Sequence, residues 1–150
     1  MIRSEKLVEE FIMYRSDKYF STLEKLAISI TYDSQHRARI ASCIVYKNSI
    51  ISFGINKKKS HPFQARFSRN IESIYLHSET DAINNALKII TIDELSKSSL
   101  YICRVKYDGI KNKNVIWGMS KPCAGCMRAI ATFNIKKVYY TCDNEGFETL

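Results

Sequence analysis

Glycine and proline are scarce in this chain, five and two among 150 residues. That leaves little room for flexible linkers or low-complexity arms. No apolar run is long enough to cross a bilayer, which argues against a membrane protein. The opening stretch MIRSEKLVEEF is charged from its third residue. It does not read as a secretory signal, so a cytoplasmic protein is expected. Cysteine is limited to five residues, an odd count that fits no complete disulfide framework. Cys43, Cys103 and Cys142 sit alone in strand-like runs and read as small buried hydrophobes in a reducing compartment.

Within those bounds there is material for one core. The length suits one domain, expected over residues 1–150, and 45% of the residues are hydrophobic. The net charge is +8 with a pI near 9.3. Such a balance suits an anionic partner: a nucleotide, a nucleic acid or a phosphorylated metabolite. A lysine-rich solubility coat would give the same figure.

Apolar spacing predicts a helix over 4–14, capped by Ser4, and another over 20–31 with Leu23, Leu26, Ala27 and Ile30 on one face. The period then changes. Ala38–Lys47 and Ile50–Ile55 read as an antiparallel hairpin, and a polar loop follows through residue 75. Helical spacing returns in HSETDAINNALKII, with Ala82, Ile83, Ala86, Leu87 and Ile90 as the buried stripe. SSLYICRVKY is a strand, Val115–Met119 a short extended piece, CAGCMRAIATFN a helix and KKVYYT a last strand. Strands alternating with helices predict an α/β sheet covered on both faces.

Two of the five cysteines have ligand spacing: Cys123 and Cys126, following Pro122 at a helix start. A Cys-x-x-Cys alone fits a redox pair, half a zinc ribbon or a zinc-enzyme site. A ribbon needs a second such pair, and none exists. A redox motif is expected early in the chain, not this late. The best completing residue is His77, which also begins a helix that follows a strand. Two such N-termini meet at one sheet edge, where their dipoles favour thiolates. One imidazole and two thiolates make three zinc ligands and leave a fourth position for water, the catalytic arrangement. Zinc brings the pKa of water toward ~7. Glu79, two residues from His77, is placed to accept and pass on the water's proton.

The pair H-x-E and P-C-x-x-C, here HSE at 77–79 and PCAGC at 122–126, is the signature of zinc-dependent nucleobase deaminases. The chain resembles the cytidine and deoxycytidylate deaminase superfamily over about residues 20–141. The resemblance implies a three-layer α/β/α sandwich around a mixed sheet. It also implies hydrolytic release of an exocyclic amine as ammonia, with Zn2+ held by His77, Cys123 and Cys126 and protons shuttled by Glu79. GIN at 54–56 looks like the family's G-x-N, which makes Asn56 a candidate sugar contact; the alternative is an ordinary turn residue. Ser78 stands where Ala is more usual. The stretch from Lys106 to Met119 is longer than in compact members. The family's fifth strand and the helix before it are not foreseen after KKVYYT, so four to five strands are expected.

The segment 57–69 carries Lys57, Lys58, Lys59, Arg66 and Arg69 with Phe63 and Phe67 interleaved. It reads as a phosphate clamp or a groove for single-stranded nucleic acid with stacking rings. The alternative is a solvated loop anchored by its two Phe. Lys57, Lys59, Arg66, Ser78, Trp117 and Ser120 join Asn56 as candidate substrate contacts, with a core role the alternative for Trp117. The expected activity is deamination of a cytosine nucleotide, dCMP first, by a homo-oligomer. The alternatives are a deaminase of cytosine or adenine in single-stranded DNA or RNA, and a non-catalytic zinc-stabilised nucleic-acid-binding module.

Overall fold

The computed structural model describes residues 18–30, 38–69, 75–108, 114–143 and 146–150. The helix expected over 4–14 lies outside them. The first described helix, α1, runs through residues 18–28. Then come β1 (Arg39–Tyr46), β2 (Ser49–Ile55), α2 (Pro62–Phe67), α3 (Ser78–Ala86), α4 (Ile92–Ser96), β3 (Ser99–Asp108), β4 (Asn114–Gly118), α5 (Ala124–Thr132), β5 (Lys137–Thr141) and β6 (Phe147–Thr149).

The hairpin closes in two residues. Lys47 and Asn48 both have positive φ, 49° and 64°. That is the twist-matched turn for which Asn is suited and Lys is not. The sheet order is β2-β1-β3-β5-β6, with β4 also on β3. β3 is antiparallel to β1 and β4 and parallel to β5, so the sheet is mixed. One edge of β3 serves two partners. Ser99–Ile102 pair with β5, and Arg104–Asp108 pair with β4. The lengthened segment before the cysteines is therefore a hairpin arm of the sheet. Phe147–Thr149 add a further edge strand, antiparallel to β5, where none was expected.

Alternation along the strands feeds two cores. Ala41, Cys43, Val45, Tyr101, Cys103 and Val105 face α1, packing on Tyr19, Phe20, Leu23 and Ala27. Ile44, Leu100 and Ile102 face the other way, onto Ala82, Ile83 and Ala86 of α3 and Ala129 and Ile130 of α5. Helices on both sides of one sheet make the three-layer α/β/α sandwich. Burial pushes the Cys43 thiol far up and Cys103 up to about 12, so both are inert packing groups.

Two short helices fall in segments read as loop or left unassigned. α2 replaces part of the polar loop, because His61 caps it, Pro62 opens it, and Gln64 and Phe67 point inward. Phe63 and Phe67 pack against Phe133 at 6.1 Å each, so the core-anchor alternative is the one realised and neither ring is a stacking platform. α4 is announced by a capping box, Thr91 with Glu94, visible in the sequence as T-x-x-E.

Gly54 sets the distance between β2 and α3. A Cβ there would collide with the backbone of Ser78 and Ala82. Ser52 helps from the same strand, its hydroxyl donating to Ala82 O at 2.8 Å. Gly54→Ala should therefore force α3 off the sheet and lower stability by about 2 kcal/mol or more. Urea unfolding of the variant checks this; an unchanged midpoint would show that α3 yields freely.

Candidate active site

His77 is the N-cap of α3 and Cys123 the N-cap of α5, and neither side chain caps its own helix. Both are left to face each other. Cys123 Sγ and Cys126 Sγ lie 3.4 and 3.3 Å from His77 Nδ1. All three donor atoms are within 4.8 Å of one another. Tetrahedral zinc with ordinary bond lengths puts N and S about 3.6 Å apart. One borderline nitrogen and two soft sulfurs are also a zinc donor set. The residues present fit the ion.

α2 holds the two helix starts together. Gln64, fully buried, accepts from His77 N at 3.1 Å and also from Thr80 Oγ1. It caps α3 from outside, where His77 cannot. On the α5 side, Arg128 Nε donates to Phe67 O at 2.7 Å, and Gly125 lets Ser68 come close. Nothing in the sequence marks Gln64 as a site residue, because its partner is backbone contributed by another helix.

Without a cation the two sulfurs differ. Hydrogen bonds from Cys126 and His77 hold Cys123 down to about 3, a thiolate. The bond to that thiolate, with burial, pushes Cys126 up. The hydrogen bond with Cys123 also raises His77.

Glu79 is buried in the first turn of α3. Ser78 Oγ lies 2.7 Å from Glu79 Oε1 and 2.7 Å from Ser42 Oγ. Ser78, fully buried, thus links the carboxylate to β1, a contact that Ala could not make. These groups line a cavity of about 300 Å3 whose walls include Asn56, Ser78, Glu79, Arg104, Ser120 and Lys121.

The other expected contacts divide. Asn56 lines the cavity and zips to β1: its Oδ1 accepts from Ile40 N and its Nδ2 donates to Ala38 O. Ser120 lines it too, but its hydroxyl is engaged with Ile102 O and Thr141 at the seam where β4 and β5 meet on β3. Trp117 does not line it. Paired with Val105, it faces α1, packing on Phe20 and donating to Glu24 Oε2, so its role is the core one. Lys57, Lys59 and Arg66 are not in the wall either. Lys57 pairs with Asp81 at 3.4 Å, and Arg66 lies over Phe67. The basic groups that do reach the cavity are Arg104 and Lys121. Arg104 sits in an apolar strand pattern, and only the sheet register turns it toward the site.

Fold and donor set define the class: an α/β/α protein with an imidazole–dithiolate metal centre beside a buried carboxylate. The sequence matches the family described as the cytidine and deoxycytidylate deaminase zinc-binding region over residues 14–142, and the chain belongs to that family of zinc-dependent deaminases. Its fold is similar to the dCMP deaminase of cyanophage S-TIM5 in apo form, with TM-score 0.56 and 22% identity over 87% of this chain and 84% of that one. The same cyanophage enzyme in complex with dCMP and dUMP matches with TM-score 0.52 and 20% identity over 83% of this chain and 78% of that one. No curated protein matches the sequence. Among the described residues no helix is long and apolar enough to cross a membrane.

The sulfur asymmetry makes zinc uptake pH-dependent. Cys123 is already ionised at neutral pH, whereas Cys126, raised, keeps its proton until metal displaces it. His77, also raised, loses whatever proton it holds. Affinity should therefore rise with pH and fall on acidification, with about one proton or more released per zinc at pH 7. Calorimetry in buffers of different ionisation enthalpy measures this, and zero release would contradict it. Cys123→Ala should lose stoichiometric zinc by elemental analysis.

Proposed function

We propose that the chain hydrolyses the exocyclic amine of a cytosine nucleotide, with dCMP as substrate. The observation that carries this reading is the buried Glu79 carboxylate on the wall of the same cavity as His77 and Cys123. When bound, zinc supplies the Lewis acidity that makes hydroxide available near neutral pH. His77, Cys123 and Cys126 would hold it.

The remaining work falls to this chain's own side chains. Glu79 takes one proton from the attacking water and delivers it to N3 of the ring, then takes the proton of the new C4 hydroxyl and gives it to the departing amine. Water adds at C4 and ammonia leaves, so dCMP plus water gives dUMP. Ser78, braced by Ser42, holds one carboxylate oxygen so that the other faces the substrate. Asn56, tied to β1 through its amide, forms the rim on which the sugar rests. A buried carboxylate fixed in this way is the expected proton carrier.

A cavity of about 300 Å3 suits one small molecule rather than an extended strand. The fold resemblance to a cyanophage dCMP deaminase, also known in complex with dCMP and dUMP, supports the same substrate. The +8 charge favours a polynucleotide substrate instead. Against that, Lys57, Lys59 and Arg66 stand outside the cavity wall and Phe63 and Phe67 are packed inward.

Ammonia release from dCMP, CMP, cytidine, cytosine and a single-stranded oligonucleotide by the zinc-loaded chain tests the reading. dCMP should give the highest kcat/KM. Turnover of the oligonucleotide alone would move the substrate to polynucleotides, and nucleic-acid binding without turnover would remove the enzyme reading. Glu79→Gln should keep its zinc and lose roughly 100- to 10,000-fold in kcat, the share of a general acid–base. Normal turnover by that variant would remove Glu79 from the role.

A further inference from the structure

The segment 57–69 takes no part in the chemistry above, yet it surrounds the approach to His77. Lys57 N donates to Leu76 O at 2.9 Å, and Leu76 N donates back to Lys59 O at 3.0 Å. The next N–H along, that of His77, goes to the side chain of Gln64, whose Oε1 accepts it at 3.1 Å. An acceptor for the N-cap N–H commonly comes from the third helical residue, as Glu or Gln in a capping box. In α3 that residue is Thr80, and its hydroxyl donates instead, to Gln64 Oε1 and to His77 O. Gln64 therefore supplies from another helix what α3 lacks.

The same side chain leans on the cysteine turn. Its Nε2 points to Ser68 Oγ at 3.4 Å, and Ser68 Oγ would stand 3.2 Å from a Cβ on Gly125, which lies between Cys123 and Cys126. Arg128 Nε, two residues past Cys126, donates to Phe67 O at 2.7 Å. Gln64 is fully buried, so bulk water does not compete for its bonds. His77 presents Nδ1 to both sulfurs, at 3.4 and 3.3 Å. Nδ1 is the ring nitrogen nearer the backbone, with two torsions between it and Cα. A shift of the His77 backbone thus reaches the donor atom almost undamped.

We infer that Gln64 is a positioning residue for the metal centre: by holding the His77 N–H it sets the imidazole where the two sulfurs need it, and so raises zinc affinity without touching the ion. Groups that orient a ligand from outside the coordination sphere are worth roughly 10- to 100-fold in metal affinity. The coupling also runs in reverse. If Gln64 strengthens zinc binding by some factor, zinc strengthens the bond between His77 and Gln64 by the same factor. None of this depends on which base or nucleotide is turned over, so the substrate reading can fail while Gln64 keeps its role.

Competition against a chelator, with Zn2+ as the probe and no substrate present, tests this. Gln64→Leu, similar in size but without an acceptor, should bind zinc roughly 10- to 100-fold more weakly while its circular dichroism is unchanged. Gln64→Glu, which keeps an acceptor for both donors, should stay within about 3-fold of the unsubstituted chain. A folded leucine variant with undiminished zinc affinity overturns the inference. So does a loss in Gln64→Glu as large as in Gln64→Leu, because the acceptor would then not be what matters. Should the leucine variant not fold, amide hydrogen exchange in the unsubstituted chain decides. Adding zinc should slow exchange at His77 N roughly 10-fold or more, the reciprocal of the gain in affinity. Lys97 N, which bonds within α4, should be unaffected. Equal exchange at His77 N with and without zinc overturns the inference.

Discussion

Two helix starts, brought edge to edge, are what the rest of the site hangs on. His77 and Cys123 each stand at an N-cap without capping, so their side chains are spared for each other. The cost is two sets of exposed N–H groups pointing at one place. Two features offset it. Gln64 supplies an acceptor to the start of α3, and the positive ends of both helices favour thiolate sulfur. An imidazole and two sulfurs packed this tightly would leave one sulfur protonated, and a divalent cation resolves that conflict. Metal affinity and local order are therefore the same interaction seen from two sides.

Around that centre the sheet divides the labour. β1 and α3 carry the wall that holds the buried carboxylate, with Ser42, Ser78 and Glu79 in one hydrogen-bonded chain. β3, β4 and the turn into α5 carry the opposite wall. There Thr141 knits three strands together, accepting from Arg104 N and donating to Gly118 O, while Ser120 bonds to it. A polar knot of this kind at a strand junction fixes the wall's position, because each of its groups would be unsatisfied if the strands slid. Rigid walls suit a reaction in which a carboxylate must stay within reach of its substrate throughout.

Net charge was a poor guide to where charge acts. The lysines at 57–59 follow Gly54 and Asn56 in the sequence and look adjacent to the site. Yet Lys57 is spent on buried Asp81, which also accepts from Ile55 N. That pair locks the end of β2 to α3. The cations that do reach the cavity are single residues in segments whose composition announces nothing, one inside a strand and one beside a proline.

What the amino-acid order determined by itself was local. H-x-E and P-C-x-x-C are short spacings that place donors on one turn, so ligand identity and the adjacent acid could be read directly. Periods of two and near 3.6 marked β1, β2, β3, β5, α3 and α5. Only tertiary structure decided the rest. Whether Arg104 or Trp117 meets the cavity depends on the face each strand presents, which the β1–β3–β4 register sets. Whether Phe63 and Phe67 stack on a base or pack against Phe133 depends on where α2 lands. Gln64 becomes a cap, and 147–149 a strand, only because another element arrives beside them. Covalent neighbours can be read along a chain, whereas a residue's opposite number across a sheet or a helix contact exists only once the long-range packing has formed.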